Sequence, residues 1–231
     1  MPNIIMADAK GGQYDEIFVK LIEGNEPVDL IIPDGVTAIR NGAFYYCTNL
    51  RSVYIPSSVT TIGTAAFSGC TSLTNIEISQ GVTTIGSSAF TGAKVTNLSI
   101  PSSVKTIDQS AFSNLTELKS LTIPSSVLSI GKWAFRECTK LKNVETGGVR
   151  LAEAVFYKCT ALERAWIRST CTTIDAPSYA FNALFAYCPT TLAIYAEPSE
   201  KPSGWNSSFN KTGESGGTTV TVTYGQTTRP W

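Results

Sequence analysis

Apolar and polar residues alternate along this chain in short stretches, and the same stretch returns about every 23 residues. In the copy LTNIEISQGVTTIGSSAFTGA the apolar positions Leu73, Ile76 and Ile78 are interleaved with Asn75 and Glu77. Such alternation predicts a short strand with one face buried. Ser79 ends it here, and Pro33, Pro56, Pro101 and Pro124 end it in other copies. Proline cannot donate a ladder hydrogen bond, so pairing stops there. The segment Val82-x-x-Ile85-Gly86-x-x-Ala89-Phe90 follows, and its Gly86 tolerates a tight bend. It predicts turns, or a single helical turn, that bring the chain back for the next strand.

Two markers carry the period. Phe44, Phe67, Phe90, Phe112, Phe135, Phe156 and Phe185 step by 23, 23, 22, 23, 21 and 29 residues. The row of Ile-Pro dipeptides and their substitutes shows its one long gap at the same place. A unit of this size makes one layer and cannot bury its own apolar face; stacking copies along an axis does so. The expected fold is therefore an α/β repeat solenoid with one short parallel strand per repeat, Phe packed on Phe. Leu30, Val53, Ile76, Leu98, Leu121, Val144, Ala165 and Ile194 would form one buried column.

Residues 28–196 would make about seven coils between two caps. In residues 1–27, GQYDEIFVKLIEGN sets Ile17, Leu21 and Ile22 at helical spacing, with Asp15 and Glu16 in the first turn and Gly24 at the end. This predicts a short amphipathic helix over the first coil. Residues 197–231 form the other cap, where Thr218–Gly225 alternates like an edge strand and Trp205, Phe209 and Trp231 shield the last coil. The repeat over 175–187 carries six extra residues. Its Pro177, Ser178, Tyr179 and Phe181 would form either a protrusion or a variant coil that packs its own aromatics.

The recurrent pattern Leu-x-x-Ile-x-Ile-Pro-x-x-Val-x-x-Ile-Gly-x-x-Ala-Phe-x-x-Cys, as in LRSVYIPSSVTTIGTAAFSGC, resembles the BspA-like class of leucine-rich repeats over about residues 28–209. The resemblance implies an open right-handed superhelix with a parallel sheet on one face. It implies roles in adhesion and in binding protein or host-surface ligands at the cell surface or after secretion, and it implies no reaction.

Composition narrows the function classes. Eighteen basic residues cancel eighteen acidic ones, so no net field draws in nucleic acid. No apolar run is long enough to span a bilayer, and the start of the chain lacks the pattern of a secretory signal. The chain has no histidine, which removes the commonest general base and its Ser-His-Asp and Cys-His arrangements. Cys47, Cys70, Cys138, Cys159 and Cys188 share one column three residues after the repeat Phe, where they read as small buried hydrophobes. Without C-x2-C spacing or histidine, no metal or cofactor is expected.

Binding then falls to the outward residues of the strands. One row holds Ser52, Asn75, Asn97, Ser120, Asn143, Arg164 and Ala193; the other holds Tyr54, Glu77, Ser99, Thr122, Glu145, Trp166 and Tyr195. Exposed aromatics are common anchors, so Tyr54, Glu77, Glu145, Arg164, Trp166 and Tyr195 form the candidate contact face of a non-catalytic protein-binding or adhesion module. The alternatives are a carbohydrate-binding or carbohydrate-active surface module, suggested by aromatics among Asn and Ser, and a structural spacer in a larger assembly.

Overall fold

A computed structural model of the protein describes residues 3–6, 26–148, 150–176, 184–207, 210–212 and 218–228. Strands Asn3–Met6, Val28–Ile31, Leu50–Ile55 and Asn75–Ile78 pair side by side, and so do Ser120–Ile123, Asn143–Thr146, Arg164–Ile167, Ala193–Ala196 and Val222–Thr223. Every neighbouring pair in these two sheets is parallel. The register sets like on like: Val53 lies beside Ile76, and Val144 lies between Leu121 and Ala165. The buried column from Leu30 to Ile194 forms as its spacing predicts, with no member more than 8% exposed.

The return segment is not helical. Among the described residues there is no helix, so the α/β character expected from the sequence gives way to a parallel β-solenoid. The dipeptides that read as turns, four of them Thr-Ile, are instead two-residue strands: Ala38–Ile39, Thr61–Ile62, Thr84–Ile85, Thr106–Ile107, Ser129–Ile130, Arg150–Leu151 and Thr173–Ile174. They build a second parallel sheet of seven strands on the far side of each coil. Two residues are too few to show an alternation, which hides this sheet from the pattern. The predicted N-terminal helix and most of the 175–187 insertion lie outside the described residues.

A third row of coil-to-coil bonds runs along the Ala-Phe turns. The Phe67 N–H donates to the Ala89 carbonyl at 2.7 Å, Phe90 to Ala111 at 2.8 Å, and Phe112 to Ala134 at 2.8 Å. Held at this step, the seven repeat Phe rings stack nearly parallel with centroids 5.0 to 5.9 Å apart. All are fully buried. Centroids this far apart describe offset stacking, the arrangement that ring quadrupoles favour. The cysteine column leans on the same row, because the thiols of Cys70, Cys138, Cys159 and Cys188 each donate to the carbonyl of the Phe one coil back, at 3.1 to 3.5 Å.

One coil breaks the main sheet. Between strands Asn75–Ile78 and Ser120–Ile123, residues 97–100 occupy the strand position without strand pairing. Only eight residues separate Phe90 from Leu98, against nine from Phe67 to Ile76 and from Phe112 to Leu121. The coil is one residue short of the register its neighbours require. The flanking aliphatics show through slightly: Ile76, Ile78, Leu98 and Ile100 are 6 to 9% exposed, whereas Val53 and Ile55 are at most 1%. The second sheet and the Phe row continue unbroken past this point.

In the C-terminal segment Trp205 is buried, bridges Ile174 in parallel and donates its indole N–H to the Cys171 carbonyl at 2.8 Å. The predicted edge strand is divided. Thr218–Thr219 pairs antiparallel with Lys211–Thr212, and Val222–Thr223 joins the main sheet beside Ala193–Ala196. Phe209 and Trp231 lie outside the described residues.

Two substitutions test the packing. Phe112→Ala, in mid-stack, is expected to lower stability by about 3 to 5 kcal/mol through lost transfer energy and a cavity, read as a shift in the urea midpoint. Thr146 occupies the column of Ile123 and Ile167, fully buried, and its hydroxyl has no hydrogen-bond partner. Thr146→Val keeps the shape, removes the unmet polar group and is expected to stabilise by about 1 kcal/mol in the same measurement.

Candidate functional site

The outward rows divide into three zones. At the N-terminal end Ile31, Tyr54 and Glu77 stand side by side in register. Ile31 and Tyr54 are each 38% exposed, and Glu77 is exposed. Beside this apolar pair Arg51 closes on Asp29, and the Ser52 hydroxyl donates to Asp29 at 2.6 Å. Those hydrogen bonds, that of Arg51 first, hold the Asp29 carboxyl below its ordinary range. An aromatic and an aliphatic side chain thus sit open beside a charged rim.

The middle is small, polar and open. Asn97, Ser99, Ser120 and Thr122 are exposed around the unpaired coil, where an open hollow of about 380 Å³ is bounded by residues 97–100, Ser120, Thr122 and Pro124.

The C-terminal zone differs from the sequence expectation. Glu145, Trp166 and Tyr195 are in register on the outward row, yet Glu145 is only 6% exposed and Trp166 only 2%. Alternation tells which way a strand residue points but not what folds over it. The Arg168 guanidinium, from the connection after its strand, closes on Glu145. The Trp166 ring packs on Tyr195 with centroids 6.4 Å apart, and its N–H donates to Glu197 at 3.3 Å. Glu197 also accepts from the Ser169 amide at 2.8 Å and from its hydroxyl at 3.0 Å. Burial alone would raise the Glu197 carboxyl, but these bonds outweigh it and hold the group below its ordinary range.

Arg164 and Tyr195 remain half-exposed, Arg164 reaching Asn143 at 3.4 Å. The six candidate residues therefore do not form one patch. Tyr54 and Glu77 are open at one end, Arg164 and Tyr195 are partly open at the other, and Glu145 and Trp166 are internal supports.

The chemistry open to these groups is limited. Glu77 and Glu145 stand on strands separated by the unpaired coil and Ser120–Ile123, too far apart to work as a glycosidase pair, whose carboxyls lie about 5 to 9.5 Å apart. An ionised Glu197, saturated by donors, has no proton to give as a general acid. All six cysteines are buried and none is in a disulfide, and burial pushes Cys70 and Cys171 up to about 12. Such thiols are poor nucleophiles at neutral pH. Among the described residues no group of three His, Cys, Asp or Glu side chains could hold a metal ion, and no helix is long and apolar enough to cross a membrane.

Attention to the strand face passes over the turn edge, where the side chains beside the repeat Phe emerge. Tyr45 and Tyr46, edge to face at 4.5 Å, are 53% and 62% exposed at one end of it. Trp133, Tyr157 and Tyr187 gather at the other end among cations. Reading the slots next to each Phe as columns, as the strands are read, would have brought these residues out.

A family model for the BspA type leucine-rich-repeat region matches six copies over residues 28–142 and 83–188. The chain belongs to that family. Among solved structures, this leucine-rich-repeat chain is similar to the leucine-rich-repeat protein TpLRR of T. pallidum, with 32% identity, 64% of this chain and 76% of that one covered, and a TM-score of 0.56. A leucine-rich-repeat protein from Bacteroides ovatus aligns at 20% identity over 96% of this chain and 71% of its own, with a TM-score of 0.45. A leucine-rich cell surface protein from Faecalibacterium prausnitzii aligns at 23% over 88% and 65%, also at 0.45. The search of curated proteins finds no match.

The internal role of Trp166 has a measurable consequence. Trp166→Ala is expected to cost about 3 to 5 kcal/mol in a denaturant titration, as a buried residue does, rather than leave stability unchanged as an exposed anchor would. Glu197, with its lowered carboxyl, contributes stability that is present above the unfolded carboxylate range and lost as pH falls through its lower folded value. Glu197→Gln should therefore be less stable than wild type at neutral pH, and the difference should shrink on acidification, followed by thermal melts across pH.

Proposed function

We propose that this chain is a non-catalytic binding module that engages a protein partner through its strand face, at the cell surface or outside the cell. The observation that carries this reading is the open apolar pair of Ile31 and Tyr54, in register on adjacent strands and flanked by the Asp29 and Arg51 charges. An aromatic and an aliphatic group inside a polar rim is the arrangement of an interface anchor. The buried columns are occupied by packing between coils, which leaves the outward rows free to vary with the partner. Membership of a repeat family with surface-associated members is consistent with this location. Adhesion is the finer form of the same reading, and Arg164 and Tyr195 offer a second contact at the far end of the face.

A strand-face carbohydrate site draws less support, since a sugar platform needs an open ring and Trp166 is buried under its neighbours. Affinity capture from host-cell and bacterial surface extracts, followed by measurement of the recovered partner on the purified chain, tests the protein-binding reading. Tyr54→Ala is expected to weaken that complex by about 2 kcal/mol, roughly thirty-fold, with Tyr195→Ala weakening it less. Equal affinity for wild type and both variants would remove the strand face from the interface. Recovery of no partner would favour a structural spacer.

A further inference from the structure

The charges of the chain cancel overall but are spread unevenly along the solenoid axis. Residues 26–90 carry four acidic and two basic side chains, whereas residues 91–168 carry six acidic and eleven basic. Ion pairs on the strand face, Arg51 with Asp29 and Lys142 with Glu163, leave this imbalance in place. In the first zone Glu77 is exposed and makes no ion pair among the described residues. In the second, Arg168 gives Glu145 its Nε and one Nη. The other Nη makes no hydrogen bond among the described residues, and the side chain is 42% exposed.

The strand face has ten positions along the axis, counting residues 97–100 as one. Its middle falls between residues 97–100 and Ser120–Ile123, at the hollow, where Asn97, Ser99, Ser120 and Thr122 are small, polar and exposed. No bulky side chain there would hold a second surface away. Ile31 and the half-exposed Tyr195 stand the same number of strand positions from this middle, on opposite sides of it, with Tyr54 one position inside Ile31.

We propose that the partner of this face is a second copy of the chain, laid antiparallel in a two-fold dimer whose axis runs along the strands and through the hollow. The proposal rests on the reading of the strand face as a binding surface and names what binds there. Such an axis exchanges coils about the middle and sets each outward row opposite itself. Ile31 and Tyr54 then meet Tyr195 of the second copy. Arg51 faces Glu163, one residue before the outward row in each case, and Glu77 faces the open Nη of Arg168. The contact is isologous, so every pairing occurs twice. A two-fold axis along the solenoid would instead set Glu77 on Glu77 and Arg51 on Arg51, and like charges brought together suppress association.

The available area sets the strength. The strip of strands from Val28–Ile31 to Ala193–Ala196, at about 4.8 Å per strand and about 3.3 Å per residue, offers on the order of 500 Å² per copy. A standard interface takes about 800 Å² from each partner. The dimer is therefore weak and concentration-dependent, and the order of the charges, more than the area, selects its arrangement. With no net charge on the chain, two copies approach without long-range repulsion. Salt screens the exposed pairs and loosens the dimer.

The test is sedimentation velocity of the full chain from low micromolar to submillimolar concentration, where a salt-sensitive dimer is expected. Arg51→Glu and Glu163→Arg, both at exposed positions, each set like charges opposite one another and should weaken the dimer about ten-fold. The double variant should restore it. An equal mixture of the two single variants should restore it as well, since each supplies the charge the other lacks. Circular dichroism melts check each variant; should one fail to fold, Glu77→Arg, which sets a cation against Arg168, decides in its place. Monomer at every concentration, a dimer indifferent to the charge reversals, or losses that neither the double variant nor the mixture recovers would each overturn the proposal. A monomeric chain that still captures a partner through Tyr54 would remove the dimer and leave the binding module standing, so the two can fail separately.

Discussion

The step between coils is the constraint on which everything else rests. Parallel strands are held a little under 5 Å apart by their hydrogen bonds, and here that spacing is enforced by three rows of coil-to-coil bonds: the main sheet, broken at one coil, the seven-stranded second sheet and the Ala-Phe turns. Any side chain pointing inward must then pack on its counterpart one step above and one step below. A Phe column satisfies this because flat rings stack at that distance with an offset.

The three rows also divide the burden unequally, which explains how the structure tolerates its one short coil. Residues 97–100 give up strand pairing, but Thr84–Ile85 still pairs with Thr106–Ile107, and the Phe90 N–H still donates to the Ala111 carbonyl at 2.8 Å with the Phe90 and Phe112 rings stacked 5.5 Å apart. Two intact rows hold the step while the third opens. Glycine marks where the approach is closest: a Cβ on Gly86 would lie 2.8 Å from the Gly63 carbonyl carbon, so backbone nearly touches backbone at that corner.

What the sequence makes legible follows from the same constraint. Columns repeat because the step repeats, so the period, the buried rows and the cysteine column can be read from spacing alone. The second sheet escapes notice because Thr61–Ile62 and its equivalents are too short to alternate. The burial of Trp166 and Glu145 escapes for a different reason. Their covers, Arg168 and Glu197, come from connections after the strands, in coils where the repeat is irregular. Periodicity carries information about positions that every coil must fill in the same way. It carries little about a contact made once.

That distinction bears on where function can reside in such a chain. Inward positions are committed to the step and cannot change without disturbing two neighbours. The outward strand rows and the slots beside each Phe are free of that demand, and they face different sides of the coil. Residues that depart from the small, polar norm at free positions are therefore more informative than residues that keep the pattern. Ile31 and Tyr54 depart in this way on the strand face, and Trp133, Tyr157 and Tyr187 do so on the turn edge.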